Sequence, residues 1–113
     1  MNLEKLADAL ELKCKCCWEK LKTSKVRGGY AGDLLSDVMA NSSAGDIWVT
    51  RQVHQNIVAV ATLKDLAGIV VIQGGVPDKD AIEKAQKEGV PILVSEKPMF
   101  EVVGRIFRLL SDG

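Results

Sequence analysis

Between Thr50 and Asn56 the chain reads Thr50-Arg51-Gln52-Val53-His54-Gln55-Asn56, a run rich in polar side chains of distinct chemistry. An arginine clamps an anion with a planar fork of donors. His54 and Asn56 offer hydrogen bonds that suit a base, a sugar or a carboxylate. Gly74-Gly75 adds a place where backbone without a Cβ can approach a phosphate. With Asp33 and Ser95 these make a candidate ligand-binding set: Asp33, Thr50, Arg51, His54, Asn56, Gly74, Gly75 and Ser95. Each also has a plainer reading. Thr50 and its polar neighbours cap a helix, a lone histidine is structural, and Gly-Gly merely turns the chain.

Other chemistry is narrowed by what the chain lacks. His54 is the single histidine, so no site can take two imidazoles from one chain. Neither a G-x-x-x-x-G-K-[ST] loop nor a G-x-G-x-x-G fingerprint is present to cradle phosphates, and there is no G-x-S-x-G elbow for acyl transfer. An enzyme acting alone would have to use an acid/base pair such as His54 with Asp33, and the chain is read as a non-enzyme. Cys14, Cys16 and Cys17 have no second cysteine cluster to complete four ligands. Alternation with Lys13 and Lys15 puts Cys14 and Cys16 on a buried face beside Leu12, as small hydrophobes. Cys17 then falls on the opposite face as a free thiol. No metal or cofactor is expected.

These residues need a frame that brings distant loops together. Leu3, Leu6, Ala7 and Leu10 recur with helical period behind Asn2, a good N-cap, and Leu12–Cys16 alternates as a strand. Lys25–Ala31 reads as a short strand leading to Asp33, the N-cap of a helix over 34–40 whose inner face is Leu34, Leu35, Val38 and Met39. Asp46–Thr50 is a strand. The apolar run 57–61 is assigned to a helix, because Gly68–Gln73, β-branched and uncharged, is the better central strand. Pro77-Asp78 opens a helix with Ala81, Ile82 and Ala85 inward, Glu83 and Lys87 spaced to pair, and Gly89 as its stop. Val90–Val94 is a strand. Pro98 opens a last helix with Phe100, Val103, Phe107 and Leu110 on one side.

Alternation of strands and helices implies an α/β fold, a small three-layer domain with a parallel sheet, over residues 1–113 as one unit. Strands running the same way would deliver Thr50, Gly74 and Ser95 to a common rim, where such folds bind ligands.

Fifteen basic and fifteen acidic residues leave no net field to attract nucleic acid or an anionic membrane, and five aromatic rings are too few for a stacking surface. No apolar run nears the roughly 20 residues of a membrane span, and no secretory signal precedes the first helix, so a cytoplasmic location is expected. Trp18 and Trp48 are read as core or interface anchors. An aliphatic-rich domain of this size is expected to close its surface as a homodimer.

From Gly28 onward the sequence resembles DRTGG-type domains. The likeness is carried by Gly29-Tyr30-Ala31-Gly32-Asp33-Leu34-Leu35-Ser36-Asp37-Val38-Met39-Ala40, by Ile47-Trp48-Val49-Thr50, and by His54-x-Asn56-Ile57-Val58-Ala59-Val60-Ala61. The segments 68–72 and 89–92 continue it, and residues 1–27 match less well. The strand end that corresponds to the family's Asp-Arg-Thr-Gly-Gly string reads Val49-Thr50-Arg51-Gln52 here. The resemblance implies a parallel α/β fold similar to the N-terminal domain of HPr kinase, usually dimeric, with a regulatory role. Related domains sit beside CBS domains in some pyrophosphatases, where adenine nucleotides are effectors. Stand-alone relatives tend to be encoded near iron-only hydrogenase genes. A ligand-sensing module for a nucleotide or other small anion is therefore the first expectation. An accessory protein of an anaerobic redox enzyme complex, docking through Cys17 or the C-terminal helix, is the second.

Overall fold

A computed structural model describes residues 1–112. The elements alternate as expected: α1 (Leu3–Leu10), β1 (Lys13–Cys14), β2 (Gly28–Ala31), α2 (Leu35–Asn41), β3 (Asp46–Thr50), α3 (Asn56–Lys64), β4 (Gly68–Val71), α4 (Lys79–Glu88), β5 (Ile92–Val94) and α5 (Met99–Asp112). The sheet order is β1-β5-β4-β3-β2, with β2 to β5 parallel and β1 antiparallel to β5 at one edge.

Period-two alternation divides the sheet between two cores. Trp48, Ile69, Val71 and Ile92 point to the side where α2, α3 and α4 supply Val38, Ile57, Val60 and Ala85. Ile47, Val49, Val70 and Leu93 point to the other, against Leu3, Leu6 and Leu10 of α1 and Val102 and Ile106 of α5. Three layers follow from this. It also explains why β3 and β4 are apolar almost without interruption: a strand covered on both faces has no position for a polar side chain. The 57–61 run is helical, since β3 and β4 already pair with each other and leave no slot between them.

Local signals set several ends. The Asn2 side chain accepts the Lys5 amide at 2.9 Å, and Gly89 adopts φ +75° after α4 and closes it on Ala85. Several expectations are overturned. Asp33 does not cap α2, whose N-cap position is Leu34, exposed rather than inward; the Asp33 carboxylate is held by β3 instead. β1 stops after Cys14, and Cys17 takes a left-handed conformation (φ +60°) that turns the chain under α4. Cys14 thereby packs on the α1/α5 side, whereas Cys16 and Cys17 lie on the opposite side. Cys17 is fully buried, so it is not a free surface thiol. Finally, α5 turns Val102 and Ile106 inward and leaves Phe100 and Phe107 exposed.

Glu101 and Arg105, at 2.9 Å, form the one ion pair among the described residues; Glu83 and Lys87 do not meet. Trp48 is a core anchor and Trp18 is exposed. No described helix is long and apolar enough to cross a membrane.

Candidate functional site

Because β3, β4 and β5 are parallel and in register, Thr50 pairs with Val71 and Val71 with Val94, and the chain leaves all three strands at one rim. Backbone bonds stitch that rim together. The Ile72 amide donates to the Thr50 carbonyl at 3.1 Å, the Gly74 amide to the Ser95 carbonyl at 3.0 Å, and the Gln73 amide to the Lys97 carbonyl at 3.0 Å. Thr50, Gly74 and Ser95 are thus neighbours, as parallel topology requires.

The eight candidate residues resolve into three groups. In the first, the Thr50 hydroxyl donates to the Asp33 carboxylate at 2.8 Å, the Arg51 amide donates to the same oxygen at 2.7 Å, and the Gln52 amide donates to the Thr50 hydroxyl at 3.1 Å. Gln52 Nε2 returns to the Asp33 carbonyl at 2.8 Å. Thr50 is fully buried here, so its hydroxyl joins two loops and faces no solvent. The Arg51 side chain stays exposed. In the second group, His54 Nδ1 accepts the Asn56 amide at 3.2 Å at the start of α3, with both residues exposed. His54 therefore serves the helix end through one ring nitrogen.

The third group is the open one. Gly74, Gly75 and Ser95 border a recess of about 370 Å³ whose far wall is the end of α1 and β1. Gly74 has φ +69° and open space where a Cβ would stand, whereas a Cβ on Gly75 would lie 2.9 Å from Val71 Cγ1. The loop thus needs glycine twice, for a left-handed turn and for close packing. Ser95 is buried, and its hydroxyl accepts the Lys97 amide at 3.1 Å. Lys13, Lys15 and Lys97 line the recess, opposed by Glu11 and Glu96. None of these lysines is among the candidates read from the sequence. Their signal is the exposure of Lys13 on β1 and of Lys15 just beyond it, but only the pairing of β1 with β5 sets them beside Gly74.

Among the described residues no buried polar side-chain atom lacks a hydrogen-bond partner. The rim is therefore self-satisfied, and what it offers a ligand is exposed cations and a glycine loop. Asp33, the carboxylate that an acid/base pair with His54 would need, is already committed to Thr50 and Arg51.

Cys16 and Cys17 are buried thiols and Cys14 is half-buried. Cys17 Sγ donates to the Ala85 carbonyl at 3.3 Å, and its amide donates to Gln86 Oε1 at 3.0 Å. Burial, reinforced by neighbouring Cys16, pushes the Cys17 thiol up to about 12. Burial likewise raises Cys14 and Cys16. A reactive cysteine needs the opposite, an electropositive and accessible surrounding.

One further polar cluster lies on α2. Tyr30 donates to Asp37 at 2.6 Å and Asn41 donates to its other oxygen at 2.8 Å. These two bonds hold the Asp37 carboxyl below its ordinary range, while the bond to Asp37 raises Tyr30.

No protein-family model matches the chain, and no curated protein is similar to it. Among solved structures the fold is similar to the CBS and DRTGG domains of the regulatory region of Clostridium perfringens pyrophosphatase, complexed with the activator diadenosine tetraphosphate. The TM-score is 0.68 at 21% identity. The likeness covers 93% of this chain and 45% of that one, so this chain spans less than half of the structure it resembles.

Proposed function

We propose that this chain is a DRTGG-related, cytoplasmic regulatory module that works as a homodimer. It senses a small polyanion, with an adenine nucleotide as the ligand class, at the carboxyl ends of β4 and β5. The observation that carries this reading is the Gly74–Ser95 recess, with Lys13, Lys15 and Lys97 on its lining. A chain of phosphates is matched by several ammonium groups around an open glycine loop. The fold it shares with the regulatory region of a pyrophosphatase, solved with a dinucleotide activator, points the same way. On this reading Arg51, His54 and Asn56, exposed on the neighbouring loop, reach the nucleoside end of the ligand. Asp33, Thr50, Gly75 and Ser95 hold the rim in shape.

Catalysis is not assigned, because the one acid/base pairing available to the chain is taken apart by the Asp33–Thr50 bond. The alternative role, as accessory protein of a redox enzyme complex, loses one of its two contacts, since Cys17 is sealed beneath α4.

The test is thermal unfolding with ADP, ATP or diadenosine tetraphosphate. A ligand that binds only the folded chain adds about 2.7 kcal/mol at a hundredfold excess over its Kd, which reads as a rise of several degrees in Tm. Lys13→Ala with Lys97→Ala should abolish the rise without lowering Tm in the absence of ligand. No rise with any of the three at millimolar concentration would overturn the reading.

A further inference from the structure

Of the six large apolar side chains that stand exposed among the described residues, two, Phe100 and Phe107, share α5. α5 carries two apolar stripes one residue apart in sequence, and the core uses the one that contains Val102 and Ile106. The other leaves Phe100 93% and Phe107 72% exposed, with Gly104 between them and open space where its Cβ would stand. Beside α5 runs β2, the last strand of the sheet, whose Gly29 and Ala31 are exposed. Its Gly28-Gly29-Tyr30-Ala31 has neither the proline nor the charge that usually protects a free edge. A groove of about 100 Å³ between α5 and β2, walled by Val103, Phe107 and Leu110, joins the two.

We propose that this flank, the outer face of α5 with the free edge of β2, is the surface through which two copies of the chain associate about a two-fold axis near Gly104. The inference rests on the homodimer reading above and names its interface. A two-fold contact must be self-complementary, with residue i meeting j and j meeting i. Phe100 and Phe107 stand nearly equidistant from Gly104. In an antiparallel pair of α5 helices, Phe100 of one copy falls beside the partner's Phe107, and the two glycines let the axes approach closely.

Charge agrees with that direction. Glu101 lies on the N-terminal side of Gly104, and Arg105 and Arg108 lie on the C-terminal side; together they border the hollow over the glycine. Antiparallel pairing sets Glu101, which already meets Arg105 of its own helix at 2.9 Å, towards the partner's Arg108 as a second cation, whereas parallel pairing sets like against like. A formal net charge of zero adds no long-range self-repulsion. A different protein as occupant would require no such symmetry of Phe, Gly and charge within a single helix.

The experiment compares full-length wild type with Phe107→Asp and Gly104→Cys by sedimentation equilibrium, circular dichroism and non-reducing electrophoresis. Phe107 is exposed, so the aspartate does not enter the core. The wild type should be a dimer. Phe107→Asp should weaken association by about tenfold or more with unchanged dichroism, the effect of losing an aromatic anchor. Gly104→Cys should cross-link to itself on oxidation. A wild-type dimer that Phe107→Asp leaves intact, with no cross-link through Cys at 104, overturns this interface but leaves the homodimer reading standing. A monomeric wild type overturns both, including the case in which Phe107→Asp instead abolishes binding of another protein. The nucleotide titration is independent of either result.

Discussion

The Asp33 carboxylate accepts the Thr50 hydroxyl at 2.8 Å, across the gap between the β2–α2 connection and the end of β3. One oxygen also takes the Arg51 amide, so a single acid organises two loops and fixes the direction in which the 51–56 segment leaves the sheet.

Asp33→Ala should therefore destabilise the fold by about 1–3 kcal/mol, the cost of leaving a buried hydroxyl and an amide without their acceptor. Asp33→Asn, which keeps an acceptor oxygen, should lose less. Urea midpoints read both, and equal midpoints for wild type and Asp33→Ala would contradict the role.

Trp48 is fully buried, and its ring N–H donates to the Gly32 carbonyl at 2.9 Å. Trp48→Phe removes volume and that donor together, for an expected loss of about 2 kcal/mol. A stability within experimental error of wild type would mean that the ring is neither packed nor bonded as described.

Cys17 carries a linkage with a definite sign. Burial raises its thiol to about 12 in the folded chain, while in the unfolded chain it ionises near its ordinary value, about 8.5. The folded state thus holds the proton in the window between the two values, and stability falls as pH rises through it. Urea midpoints at neutral pH and at about pH 9.5 should differ in wild type and differ less in Cys17→Ala. A thiol reagent at neutral pH should leave Cys16 and Cys17 unmodified until the chain is unfolded.

Tyr30 and Asn41 together hold the Asp37 carboxyl below its ordinary range, with the tyrosine bond the larger cause. Tyr30→Phe should raise the Asp37 value in a carbon-13 NMR titration. The stabilisation from a lowered carboxyl is present above its unfolded value and is lost as pH falls through the folded one. The stability gap between wild type and Tyr30→Phe should accordingly narrow below about pH 4. An Asp37 titration unchanged by the substitution would exclude the bond.

Lys13, Lys15 and Lys97 lie at an open recess, so their attraction for an anion is exposed to screening. Nucleotide affinity should fall several-fold between about 0.05 M and 0.5 M salt, where the Debye length shortens from over 10 Å to about 4 Å. Calorimetric titration at the two salt levels measures it, and an affinity indifferent to salt would place the ligand elsewhere.

Much of this architecture was legible in the residues themselves. Strands at 46–50 and 68–71, helices at 3–10, 56–64 and 79–88, and the common rim of Thr50, Gly74 and Ser95 all follow from apolar periodicity and the glycine and proline signals between elements. Those signals are local, and the layers they build are the ones observed. The parallel sheet needed one further step, that strands separated by helices must run the same way, and this too is read along the chain.

Tertiary structure decided whatever depended on a choice between near-equal faces. α5 offers Phe100, Val103, Phe107 and Leu110 or Met99, Val102, Ile106 and Leu109 as its inner stripe, and periodicity ranks them alike. Only docking against β2, β3 and α1 chose the second. Alternation continued past Cys14 would set Cys17 outward, but a left-handed conformation at Cys17 turns the chain and buries it. Asp33 had the composition of a helix cap, and Thr50, distant in sequence, claimed it because β2 and β3 pair in register. The lysines of the recess came together for the same reason, through the antiparallel pairing of β1 with β5. Sequence periodicity sets which residues can be buried; which of them are, and which polar groups then meet, is set by contacts between segments far apart along the chain.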